Sequence, residues 1–144
     1  MNSKNYVEND KKLQADKDGW LANWSLAIAT HSTTNFPANS IKVYFMPGHA
    51  LEGVRGFTIR PEKQPILKGH GSIVTVNTAF QAPADLANEL NRPVSETLGH
   101  EIGHALLDSG AHEEDTANLM SDTRHDHNLT ADQKAIMYAS QFAH

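Results

Sequence analysis

At 144 residues the chain is long enough for one domain with a buried core, and its 39% apolar and 20% charged fractions are those of an ordinary globule. A formal net charge of −5 without any Lys/Arg cluster argues against nucleic acid as a partner, and no apolar run is long enough to span a membrane. With no Cys, a thiolate metal site, a thiol nucleophile and disulfides are all excluded.

The opening MNSKNYVENDKKLQADKDGW is polar and has no apolar core of a classical signal peptide. That is compatible with a cytosolic protein, with export by a signal-less route, or with a mature form. The nine His against twelve Lys plus Arg point modestly toward metal chemistry, because imidazole is the commonest zinc ligand.

In chain order, residues 8–30 read as a helix with Leu13, Trp20, Trp24, Ala27, Ile28 and His31 recurring at helical spacing, and with Gly19 as a break or kink. The two Trp are expected to pack in the core. Strand-like runs follow at 41–46, 53–61 and 71–80, the first two closed by Pro47-Gly48 and Pro61. The third alternates Ile73, Thr75 and Asn77 with Val74, Val76 and Thr78, which suits a strand near a sheet edge. A short helix is expected at 85–90 and a long one from about Pro93 to Asp108, with Pro in its first turn and Gly110 past its end. Residues 111–128 look irregular. Thr130-Ala131-Asp132-Gln133 is a capping-box signature for a last helix whose Ile136, Ala139 and Phe142 can pack. We find no repeat or linker, so residues 1–144 are read as a single domain, and the element order is that of an α+β fold.

The chemistry lies in HEIGHALLDSGAH, residues 100–112. At about 100° per residue, Val94, Leu98, Ala105 and Leu106 fall with Ile102 on one face, while His100 and His104 lie opposite, about 40° apart. Residues four apart on a helix have Cβ atoms about 5–6 Å from each other, so both rings can converge on one ion. Glu101, beside His100, is placed to take a proton from a water polarised by that ion. A chance HExxH is expected in only roughly 0.03 chains of this composition.

The stretch HEIGHALLDSGAHEEDTANLM resembles the metzincin metalloproteases, whose motif is HExxHxxGxxH followed by a Met-turn. The resemblance implies a small mixed sheet packed on a leading helix and an active-site HExxH helix, with a closing helix behind. It also implies a Zn2+-dependent peptidase acting on peptide or protein substrates. His100, His104 and His112 match the metal ligands, Glu101 the general base, and Met120 in Asn118-Leu119-Met120 the Met-turn. The pattern departs from the family at Leu107, where the glycine belongs, and in placing His112 two positions late. A reversal at Ser109-Gly110, with Gly in the left-handed conformation, would return His112 to the metal. Asp122 stands where some members carry a Tyr. Substrate would add as a strand to residues 72–78, as in that family.

Asp108, Glu113, Glu114 and Asp115 are the rival third ligands, and Asp108 also suits a cap or ion pair. The closing helix offers no Glu, which argues against a thermolysin-like set. His125, Asp126 and His127 read as a solvated loop, with a second metal or a substrate contact as the functional alternative. His31, His49, His70 and His144 read as ordinary histidines. Tyr138 is expected in the core, with an oxyanion contact as its alternative. No pro-segment is visible and there is no thiol to block a metal, so a broad peptidase would need an inhibitor protein or export before activation. Two other functions share these residues: hydrolysis of a non-peptide amide or ester, and a zinc-stabilised binding module closed by a fourth ligand from Glu113–Asp115.

Overall fold

A computed structural model describes residues 17–46, 55–78, 94–122 and 127–143. The expectations at 8–16 and 85–90, and those for His49, His125, Asp126 and His144, lie outside the described residues, as do the side chains of Trp20 and Trp24.

Helix α1, Lys17–Asn35, includes Gly19 without a break and runs five residues beyond the expected end at 30. Its last turn is polar and bonds back on itself. Thr34 donates to the Thr30 carbonyl at 2.9 Å and Asn35 to the His31 carbonyl at 2.8 Å, which satisfies groups a helix end leaves open. Of the residues at helical spacing, Ile28 is half-buried while Ala27 and His31 are exposed; the buried positions are Ala29 and Ser32. Ser32 tolerates this position because its hydroxyl lies 2.7 Å from the Tyr44 hydroxyl.

Strands β1 (Lys42–Met46), β2 (Gly56–Ile59) and β3 (Ile73–Asn77) form a mixed sheet in the order β1-β3-β2. β3 runs parallel to β1 and antiparallel to β2. The expectation of an edge position for residues 71–80 is therefore wrong: β3 is the central strand, and all five of its residues are buried. Thr75 is satisfied inside the sheet, its hydroxyl donating to the Phe57 carbonyl at 3.1 Å, and the backbone N–H of Asn77 donates to the Arg55 carbonyl at 2.6 Å. With both sides of β3 taken, residues 72–78 have no open edge for a substrate strand.

Ile73 points toward α1, in a cluster with Ala29, Ile59 and Leu67, while Val74 and Val76 point the other way. That second face is covered by helix α2, Val94–Leu107, through Leu98, Ile102 and Ala105. Burying one such Val, Leu or Ile side chain stabilises the fold by about 1.5–3 kcal/mol. Gly56 lets β2 approach α2 closely: a Cβ there would lie 2.7 Å from the Thr75 carbonyl oxygen and 3.0 Å from Glu101 Cγ.

Helix α3, Ala131–Ala139, closes the chain against α2. Its capping box is formed as expected, but its buried residues are Gln133 and Met137. Ile136 and Tyr138, expected to pack, are 52% and 77% exposed because they fall off that one-turn stripe. The described residues thus form a small α+β fold. Among the described residues no helix is long and apolar enough to cross a membrane.

Candidate metal centre

The face of α2 turned away from the sheet carries His100 and His104, both buried. Their Nε2 atoms are 3.1 Å apart, and His104 Nε2 is 3.2 Å from His112 Nε2. A tetrahedral ion with bonds of about 2.0–2.1 Å holds its ligand nitrogens roughly 3.3 Å apart, so the three rings have the spacing such an ion requires. Among the described residues this trio is the group of His, Asp and Glu side chains close enough to bind a metal ion. The His100 and His104 rings are perpendicular, while His100 and His112 are inclined by only 16°.

The far nitrogens explain why the near ones point inward. His100 Nδ1 lies 2.7 Å from the Leu119 carbonyl oxygen, and His104 Nδ1 lies 2.7 Å from that of Ser109. A carbonyl only accepts, so each Nδ1 carries the proton and each Nε2 presents a lone pair. Lone pairs at 3.1 Å repel unless a cation sits between them, so the donor set fits a metal ion. Burial, with the neighbouring His100, lowers the His104 pKa to about 4, which keeps that ring neutral and ready to ligate.

The chain reaches this arrangement by stopping α2 abruptly. The left-handed residue is Asp108, with φ of 46°, and not Gly110 as the sequence suggested. Asp tolerates that conformation better than most side chains, and the Ser109 amide closes the turn on the His104 carbonyl at 3.2 Å. Arg60, just after β2, donates to the Asp108 carbonyl at 2.6 Å and pairs with Glu62 at 3.0 Å. The turn aims the Ser109 carbonyl at His104 and sends the chain back to His112.

Residues 118–121 form a second turn. The Met120 amide donates to Asn118 Oδ1 at 2.8 Å and the Ser121 amide to the Asn118 carbonyl at 3.1 Å. This turn exposes the Leu119 carbonyl to His100 and buries Met120 completely beneath Gly103. A Cβ at Gly103 would overlap Met120 Sδ.

Glu101 is 6% exposed. The Thr58 hydroxyl lies 2.7 Å from its Oε2 and 2.7 Å from its backbone carbonyl. Burial pushes the carboxyl up to about 7, and the Thr58 hydrogen bond restrains the rise.

The rival carboxylates turn elsewhere. Asp108 lies against Arg60, Glu113 accepts from Gln133 at 3.0 Å, Asp115 accepts from the Ala117 amide at 2.9 Å, and Glu114 is exposed. His127 Nε2 is 3.8 Å from Glu96. An open groove of about 480 Å³ between the end of α2 and α3, lined by Leu106, Leu107, Ile136 and Phe142 among others, contains none of the three histidines.

Thr58, Arg60, Asn118 and Gln133 shape the site without having been singled out as site residues in the sequence. Asn before Leu-Met was a turn signal, and Gln133 was visible as a capping residue. Thr58 and Arg60 had no local signal. No protein-family model matches the chain, and neither a curated protein nor a solved structure does so.

Proposed function

We propose that the chain is a zinc-dependent peptidase of metzincin type, hydrolysing peptide bonds in a peptide or protein substrate. The observation that carries the reading is the convergence of three imidazole nitrogens at 3.1 and 3.2 Å, two of them from the helix that also carries the buried Glu101. Imidazole ligands favour zinc, and an ion so held would polarise a carbonyl and bring the pKa of a water toward about 7. His100, His104 and His112 would hold it.

Glu101 acts as base and then as acid. Its raised pKa suits both directions of transfer near neutral pH, the proton leaving the attacking water and passing to the departing amine. With a cation held by the three histidines, the carboxylate form of Glu101 would be favoured at the start of the cycle. Thr58 holds Oε2 so that the carboxyl keeps one orientation throughout. The turn at 118–121, with Met120 buried under the ligand helix, supports the metzincin comparison. The closed binding module loses support because Glu113 is engaged by Gln133 and Asp115 by its own turn.

The test compares wild type with Glu101→Gln, both verified by metal analysis to carry zinc, on a mixture of denatured proteins. New amino termini are read by mass spectrometry. The wild type should cut, and the variant should be slower by about 10²–10⁴-fold. Equal cleavage, or none in either while zinc stays bound, would sink the peptidase reading. A screen of amide and ester substrates would then take over.

A further inference from the structure

His112 is exposed and sits in a loop, so no helix sets its place as one does for His100 and His104. We propose that Gln133, at the start of α3, is the positioning residue that does so, holding the His112 loop to the turn that supports His100. The proposal rests on the metal-site reading but not on peptidase activity.

Gln133 is only 6% exposed, and its amide is fully directed. The Thr130 amide lies 2.9 Å from Oε1 and can only donate, so Oε1 is the oxygen and Nε2 must face the other way. Nε2 then donates to Glu113 Oε1 at 3.0 Å, one residue after His112. The second lone pair of Oε1 accepts from Asn118 Nδ2 at 2.9 Å. Asn118 is itself 3% exposed, and its Oδ1 holds the Met120 amide. Glu113 is tied a second time, its amide donating to the Met120 carbonyl at 3.0 Å.

A residue needed only for a capping box would finish with the bonds to Thr130. Gln133 goes further and joins three segments: the loop carrying His112, the turn carrying the Leu119 carbonyl, and α3. Buried donors and acceptors are costly to leave unpaired, so the three segments are locked in one arrangement. Two of them bear directly on the metal nitrogens, the first through His112 and the second through the hydrogen bond from His100 Nδ1.

Gln133→Glu isolates this role. The substituted side chain keeps its length and both acceptor bonds, so the cap survives, but it sets a second carboxylate against Glu113. Zinc-free wild type, Gln133→Glu, Glu113→Gln and the double variant would be titrated with zinc against a chelating indicator. Cobalt(II) absorption would report ligand geometry, and melting of the zinc-free chains would report folding. We expect Gln133→Glu to lose about 10- to 100-fold in zinc affinity and to shift the cobalt bands. The double variant should recover most of both, because the bond re-forms with donor and acceptor exchanged. Should Gln133→Glu not fold, Glu113→Ala, which leaves the cap whole, carries the same expected loss. Unchanged affinity and cobalt bands in Gln133→Glu, or a loss the double variant fails to restore, would overturn the proposal. A wild type that takes up no zinc would overturn the metal reading itself, and this inference with it.

Discussion

The ligands of the candidate centre belong to two different kinds of structure. His100 and His104 stand a turn apart on a helix whose other face is packed on a sheet, and each ring is fixed by a backbone carbonyl. His112 stands on an exposed loop and depends on the polar tie through Glu113. The helix obtains precision from hydrophobic burial, which tolerates changes in surrounding polar groups. The loop obtains it from hydrogen bonds, each of which can be removed singly. The two kinds of ligand should therefore respond differently to substitution.

The largest difference should appear when ligands are removed. His100→Ala or His104→Ala should abolish zinc retention through gel filtration, because each takes away a ligand whose orientation is already fixed. His112→Ala should leave weaker binding, detectable by indicator titration, since the helical pair survives it. Equal losses at all three positions would erase the distinction.

Two glycines on the ligand helix sharpen the comparison. Gly103→Ala would force Met120 aside and should cost about 1–3 kcal/mol in chemical denaturation, with zinc affinity falling as His100 and His104 shift. Gly99→Ala would meet only Leu119 Cδ1 at 3.8 Å, an ordinary contact, and should stabilise the helix by about 0.5–1 kcal/mol.

Protons offer a subtler probe. Burial raises the Glu101 pKa from 4.5 to about 7, so the folded state holds that proton more tightly than the unfolded chain. Its contribution to stability is complete below 4.5 and is lost as pH rises through about 7. His104 works in the opposite sense: its depressed pKa gives stability above 6.5 that is lost as pH falls toward about 4. Zinc-free Glu101→Gln should accordingly melt above zinc-free wild type at mildly alkaline pH, with the gap closing in acid. A constant gap across that range would show that Glu101 is not desolvated in the folded chain.

The smallest effect is expected at the end of the helix. Asp108→Gly relieves a left-handed conformation and gives up the pair between its exposed carboxylate and the buried Arg60, two terms of about 1 kcal/mol that nearly cancel. Zinc affinity should barely move, because Arg60 still holds the backbone carbonyl.

What could be seen in the sequence was whatever had a local pattern. The ligand helix announced itself by its apolar stripe, its Pro and the His pair, and the last helix by Thr130 and Gln133. The β-like runs were recognisable as strands, but their order was not. Residues 71–80 looked like a strand near a sheet edge, because alternation cannot reveal that neighbouring strands pair on both of its sides. Gly110 looked like the helix terminator because glycine usually fills that role. Arg60, 48 residues upstream, secures Asp108 instead. Thr58 lies 43 residues from Glu101, and Gln133 lies 20 from Glu113. Contacts over such separations leave no periodic trace, so the three clustered histidines were legible and the groups that hold them were not.

Gly56 bears on how wet the site can be. Because it has no side chain, β2 lies against α2 closely enough for Thr58 to reach Glu101 and for the carboxyl to be sealed from solvent. A single methyl there would wedge strand from helix and admit water around Oε2. The local dielectric at the proposed base, and with it the proton affinity on which its chemistry depends, is thus governed from the sheet by one hydrogen atom.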